Sequence, residues 1–339
     1  MLVCDICVSG GGIVGLSIAL ELAGRGASVT VLERGKLLGE SSQAAAGMLA
    51  AEDPENPPQL ADLARLSIAR YAQFLSGVER LSGLPVPFQT SVTYQAVEHA
   101  GAAMLPDEMT PGGSSFLRLE EHSIDPRQLA EALRAAVEAS TIQVIEDTSV
   151  RSVGESSGGL DIRSGGVPVL AGQIVHAMGA WSFAPVEPRK GQMLAVRMPE
   201  GAAFDYVVRT PEIYAVPRLR GPRAGLVVIG ATVEDAGFST TTDSGSLAAL
   251  RAMAARFLPA LGDPERAPMV DRWAGLRPAT PDHLPLIGWA GESRRQVIAT
   301  GHYRNGILLA PGTAEVVADL LEGRETGLNL AAFSPSRFR

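Results

Sequence analysis

The chain has 339 residues, enough for about two domains at roughly 150 residues each. Apolar residues make up 46% and charged residues 19%, which excludes a disordered chain and supplies a real core. With 29 lysines and arginines against 37 aspartates and glutamates, the net charge is −8, so bulk charge gives no sign of a nucleic-acid-binding surface.

Leu2–Ser9 is a nearly continuous apolar run, the pattern of a strand buried on both faces of a parallel sheet. It contains Cys4 and Cys7, the only cysteines. Two cysteines cannot build a disulfide framework, and strand alternation places them on opposite faces as buried apolar residues rather than as a redox or metal pair. No basic segment precedes this run, and Asp5 interrupts it, so no secretory leader is expected. No stretch reaches 18 uninterrupted apolar residues, so no membrane span is expected, and the cytoplasm is the default location.

Glycines 10–12 follow, then a helical period through Ile13, Leu16, Leu20 and Ala23, with Gly26 as its stop and Ser28–Leu32 as a second strand. Ser41–Met48 is a small-residue stretch, and Asp53–Pro58 a polar, proline-rich loop. Leu60, Ala64, Ile68, Tyr71, Leu75 and Val78 line one face of an amphipathic helix that Pro85 and Pro87 close. Asp125-Pro126 reads as an N-cap and first-turn proline opening a helix to about Ala139. Short strands are expected at Gln143–Ile145, Val150–Val153, Leu160–Arg163 and Ile174–Met178. From Gly191 to about Arg272 the pattern changes to antiparallel strands interrupted by one helix near Ser246–Phe257. Strand Val297–Thr300, a glycine-rich turn and a helix over Ile307–Leu321 return the chain to α/β character. The expected fold is thus α/β: a discontinuous Rossmann-like domain (1–84, 118–190 and 272–339) interleaved with an antiparallel-sheet domain (85–117 and 191–271).

Gly10-x-Gly12-x-x-Gly15 lies between a strand and a helix, and Glu33 ends the next strand, the context of a dinucleotide site. Gly10 permits the tight turn, Gly12 lets a pyrophosphate approach, and Gly15 lets the helix pack against the sheet. The helix N-terminus offers unpaired N–H groups to phosphates, and Glu33 can hold both hydroxyls of an adenosine ribose. Ser41–Met48 can lie along a bulky cofactor, and Gly179 ends a strand where such sheets meet ligands. In Trp273–Pro278, alternation puts Trp273, Gly275 and Arg277 on one face of a strand.

On S-x-A-A-A-G-M-L from Ser42, Y-x-V-P-R at Tyr214–Arg218, W-A-G-L-R-P at Trp273–Pro278 and G-H-x-R-N-G-I-L-L-A-P at Gly301–Pro311, the chain resembles the FAD-dependent D-amino-acid oxidase superfamily. Within it the likeness is to the glycine oxidase family, linked to thiazole formation in thiamine biosynthesis, and runs from Asp5 to about Gly323. The resemblance implies FAD contacts at Ile13, Val14, Glu33, Arg34, Ser41, Ser42, Ala46, Gly47, Met48 and Val150. It also implies a flavin wall over His302, Tyr303, Arg304, Asn305, Gly306, Ile307 and Leu308. Arg277 is similar to the arginine that grips the substrate carboxylate, Tyr214 to the tyrosine that shares it, and Arg304 to an arginine at the active-site rim. Glu212 stands where glycine oxidases carry histidine, and Gln95–Ser115 is short for the family, implying a trimmed entrance loop.

The implied reaction is oxidative deamination of glycine or another small amino acid or secondary amine. Hydride leaves substrate Cα for flavin N5, O2 becomes H2O2, and the imino acid is hydrolysed to a 2-oxo acid and ammonia or used for thiazole synthesis. No acid or base is required of the protein when the bound amine is neutral, and His302 reads as structural rather than as a base. The chemistry belongs to the cofactor, and a guanidinium fork with a tyrosine hydroxyl supplies orientation. With both cysteines in the first strand, FAD is expected to be non-covalent. No histidine stands at metal spacing with the cysteines, so no metal is expected. The resemblance admits a homo-oligomer. The alternatives are a D-amino-acid or sarcosine-type dehydrogenase passing electrons to another acceptor, and a catalytically silent or NAD-binding nucleotide module.

Overall fold

The computed structural model describes residues 1–98, 103–183, 185–202 and 204–338. In chain order its strands are β1 (Leu2–Ser9), β2 (Val29–Leu32), β3 (Thr93–Val97), β4 (Ser115–Leu119), β5 (Gln143–Ile145), β6 (Val150–Ser156), β7 (Gly159–Ser164) and β8 (Val169–His176). These are followed by β9 (Glu187–Arg197), β10 (Val207–Arg209), β11 (Tyr214–Arg218), β12 (Leu226–Gly230), β13 (Met269–Ala279), β14 (Leu286–Trp289) and β15 (Gln296–Thr300). The helices are α1 (Ile13–Gly24), α2 (Ser41–Ala44), α3 (Ala61–Ser82), α4 (Pro126–Glu138), α5 (Ser244–Ala255) and α6 (Gly306–Leu321).

One sheet has the order β14-β15-β8-β1-β2-β5, with β7 on the first half of β8 and β6 beyond it. Its central pairs, β1 with β2 and with β8, are parallel, as an apolar strand followed by a helical crossover demands. Helices α1, α3, α4 and α6 cover one face through Leu16, Leu63, Leu133, Leu309 and their neighbours. Asp125 caps α4 by accepting the Arg127 N–H at 3.0 Å, and α3 ends where Gly83 takes φ 70°. The second sheet has the order β13-β9-β12-β11-β10-β3-β4 and its own core, in which Leu194, Ile229 and Phe116 pack on Leu247, Leu250 and Phe257 of the α5 region.

Three expectations change. Cys4 and Cys7 share one buried cluster with Leu32 and Ile174, and between them the amides of Asp5 and Ile6 both donate to the Ser28 carbonyl, a departure from regular strand pairing. β8 ends at His176 rather than at Met178, since the chain turns into Gly179 at φ 55°. Residues 272–279 belong to the second sheet, not the first, because β13 pairs antiparallel with β9 along its length. The expected entrance segment Gln95–Ser115 includes residues 99–102, which lie outside the described residues. Among the described residues no helix is long and apolar enough to cross a membrane.

Candidate active site

The carboxyl ends of β1 and β8 meet the N-terminus of α1, the place where a parallel α/β sheet opens a crevice. Local sterics fix that turn. Gly10 has φ 113°, and a Cβ there would lie 2.3 Å from the Ala177 carbonyl oxygen. A Cβ on Gly15 would lie 2.0 Å from the Gly10 oxygen, so Gly15 seats the helix on its own preceding turn. Gly12, the N-cap residue of α1, makes no side-chain cap, and Ser42 Oγ accepts the Ile13 N–H at 2.9 Å. The other first-turn amides have no intrahelical partner. Glu33, at the end of β2, accepts from Gly11 N and Gly35 N at 2.7 Å each, which fixes its carboxylate beside the glycine turn.

Two cavities share the floor formed by Gly12, Ser41, Ser42, Ala177 and Gly179. The outer one is bounded by Gly10, Glu33, Arg34, Val150 and Trp181, with the Arg34 guanidinium 3.8 Å from the Trp181 ring centroid. The inner one crosses from the first sheet to the second, taking in Met193, Tyr214, Gly275 and Arg277. A long, bent cleft results, with a helix N-terminus at its waist and another, that of α6, in the inner wall.

The small-residue segment after α2 forms one side of the inner cavity because three contacts hold it there. Trp273 Nε1 donates to the Ala44 carbonyl at 3.0 Å, and Gly275 makes room for Ala44, whose Cβ would be 2.5 Å from a Cβ at that position. The fully buried Arg218 donates to the Ala46 carbonyl at 2.8 Å. Burial draws the Arg218 pKa down to about 10, although Asp125 opposes that shift. Gly47, at φ 85°, passes so close to Ile124 that a Cβ would meet its carbonyl oxygen at 2.2 Å.

Opposite this segment, Arg277 is half-buried and donates to the main-chain oxygens of Thr232 at 3.1 Å and Lys190 at 3.5 Å, with the Tyr214 phenol beside it. Among the described residues no carboxylate lies within 4.0 Å of its guanidinium. Gly191 gives it room, since a Cβ there would fall 2.4 Å from Arg277 Nη2. Gly230 does the same for Tyr214, whose hydroxyl would be 2.5 Å from a Cβ at 230. Burial raises the Tyr214 pKa, against the field of Arg277 and Arg304, so the phenol stays protonated and able to donate. Arg304 also faces the cavity, but Glu55 and Asp53 hold it. Glu212 is exposed, hydrogen-bonded to Thr210, and outside the cavity lining.

His302 is buried, with Nε2 3.1 Å from Thr313 Oγ1. Burial lowers its pKa to about 4, so it is neutral at physiological pH and braces α6. Below pH 6.5 an unfolded His302 takes up a proton that the folded one refuses. This group therefore withdraws stability as pH falls from 6.5 toward 4, by ~3 kcal/mol in all. His302→Gln is expected to flatten that acid limb in urea unfolding measured at each pH; an unchanged limb contradicts the assignment.

Of the residues named from sequence as cofactor or substrate contacts, all line one or other cavity except Gly15 and Leu308. Gly15 packs on Gly10, and Leu308 points into the core while its carbonyl accepts from Ser67 Oγ at 2.6 Å. Sequence reasoning missed Thr148 and Ser149 in the outer cavity and Asp53, Gly191, Met193 and Thr300 in the inner one. Alternation along β9, with Gly191 and Met193 on one face opposite Gly275 and Trp273, was a usable signal for two of them. Cys4 and Cys7 line neither cavity.

Residues 5–320 match the family model described as DAO, FAD dependent oxidoreductase. The chain is 34% identical over 362 residues to the bifunctional protein ThiO/ThiG of Synechocystis sp., covering 98% of this chain and 54% of that one. It is 31% identical over 368 residues to a glycine oxidase of Pseudomonas aeruginosa, covering 98% of both. Its fold is similar to the crystal structure of glycine oxidase from Geobacillus kaustophilus, with a TM-score of 0.89, 28% identity and 99% of both chains covered. The chain spans about half the length of the ThiO/ThiG relatives it matches.

Proposed function

Because the chain belongs to the DAO family of FAD dependent oxidoreductases, we propose that it oxidises glycine or another small amino acid with O2, releasing H2O2 and an imino acid. The observation that carries this reading is Arg277, a cation facing the inner cavity with no carboxylate within 4.0 Å of its guanidinium among the described residues. A charged fork of this kind is satisfied by a carboxylate. Tyr214 adds a hydroxyl donor beside it, and together they orient a small zwitterion.

The residues present fit FAD. A Cβ on Gly12 would have only Ser42 Oγ within 4 Å, so the shared floor is open backbone where a pyrophosphate needs to approach. Glu33 and the Arg34–Trp181 pair would hold the adenosine end, and the Ser42 hydroxyl and the first amides of α1 the pyrophosphate. When bound, FAD accepts the two electrons of amine oxidation and passes them to O2. The N-terminus of α6, at Gly306 and Ile307, places its positive dipole end in the inner wall, where it favours negative charge on the bound ring system. Neutral His302 is buried against Thr313, and the proposed reaction assigns it no proton transfer.

Anaerobic mixing with glycine is expected to bleach the flavin absorbance, and readmitting air to restore it with one H2O2 per turnover. Bleaching that persists in air until an artificial acceptor is added favours the dehydrogenase alternative. A protein that carries no flavin, or one that glycine, sarcosine and D-alanine all leave oxidised, rejects the reading. Ammonia yield then distinguishes hydrolysis of the imino acid from its use in thiazole synthesis.

A further inference from the structure

The inner cavity has two arginines in its wall, and they are in opposite electrostatic states. Arg277 has no acidic neighbour within 4.0 Å among the described residues. Arg304 Nη1 donates to Glu55 Oε2, and its Nη2 is 3.4 Å from Asp53 Oδ2. Asp53 is itself nearly buried, lines the cavity, and lies 3.7 Å from Nε of the fully buried Arg209. Arg209 in turn donates to Glu121 Oε2 at 2.9 Å. The linked group therefore holds three carboxylates against two guanidinium ions and carries a net charge of −1.

Resting on the proposed function, we propose that Asp53 and Glu55 set the substrate class: amino acids with a single carboxylate and no second anionic group. The cavity has one uncommitted cation among its described lining residues, Arg277, and one carboxylate satisfies it. A second carboxylate carried on the substrate's side chain or nitrogen meets Arg304 with its fork already occupied and Asp53 presenting like charge in the wall. Buried like charges oppose each other strongly, and an attractive partner for the second anion exists only after the two acids release Arg304. Both arginines and Tyr214 line the same cavity, so one bound substrate faces both.

The test uses the FAD-loaded enzyme and two substrates, glycine and iminodiacetate, which is glycine with a carboxymethyl group on nitrogen. Wild type is expected to show kcat/KM at least ~10-fold higher for glycine. Glu55→Gln, at an exposed position that leaves the buried Arg209 network intact, is expected to raise the iminodiacetate-to-glycine ratio ~10-fold through KM for the diacid. Asp53→Asn is expected to act in the same direction, and adding Arg304→Gln to either variant is expected to remove the gain. Wild type that uses the diacid as well as glycine, or a Glu55→Gln ratio within about two-fold of wild type, overturns the proposal. Wild type that oxidises neither compound, nor sarcosine or D-alanine, overturns the functional reading as well, so the two failures are distinguishable.

Discussion

Arg277→Ala is expected to raise the KM for glycine by ~10²–10³-fold while FAD remains bound. Removing one partner of a desolvated charge pair costs about 2–5 kcal/mol, and each 1.4 kcal/mol is a decade in affinity. The effect falls on substrate alone because Arg277 lies on β13 and lines only the inner cavity, away from Glu33 and the outer cavity. Its removal also spares the fold, since among the described residues no carboxylate pairs with it and its main-chain bonds are to the Thr232 and Lys190 carbonyls. Arg277→Lys is expected to recover only a small part of the loss, because an ammonium supplies charge without the planar fork. Anaerobic flavin reduction at a series of glycine concentrations separates binding from chemistry; an unchanged half-saturation point in the alanine variant rejects the carboxylate role.

Gly15→Ala is expected to give a colourless protein with FAD affinity reduced at least ~100-fold. The added methyl would lie 2.0 Å from the Gly10 carbonyl oxygen, and backbone cannot rotate away as a side chain can. Helix α1 must therefore rise from the glycine turn, carrying off the first-turn amides that face the shared floor. Overpacking of this kind costs about 1–3 kcal/mol of stability or more. The internal control is Gly24→Ala at the other end of the same helix, where a Cβ meets nothing within 4 Å. Its melting temperature is expected to hold or rise, since alanine favours a helix. FAD titration and thermal unfolding of both variants check the pair, and tight FAD binding by Gly15→Ala refutes the packing argument.

The dinucleotide half of the site was legible because it is local. Strand, glycine turn, helix and acidic strand end fall within Leu2–Glu33, and each step is dictated by φ, periodicity or the absence of a Cβ. The face shared by Trp273, Gly275 and Arg277 was legible for the same reason, since alternation is a property of β13 alone. The state of Arg304 was not. Asp53–Pro58 reads as a polar loop, and nothing in its spacing says that Glu55 reaches a guanidinium 249 residues away. The buried cations Arg209 and Arg218 were equally hidden: each is charged in a strand, and only the neighbours brought by β3 and the segments around residues 46, 121 and 125 make its burial tolerable.

By itself the sequence determined the α/β class, the strand, glycine turn and helix within Leu2–Glu33, and the face that Arg277 shares with Trp273 and Gly275. Those follow from short-range sterics and hydrophobic period. Only the tertiary structure decided that Cys4 and Cys7 join one buried cluster, that β13 joins the second sheet, and that one cavity arginine is paired with two carboxylates while the other has none within 4.0 Å among the described residues. Such features depend on which distant segments pair, and the Coulomb energy of a side chain is fixed by neighbours that the linear order does not contain.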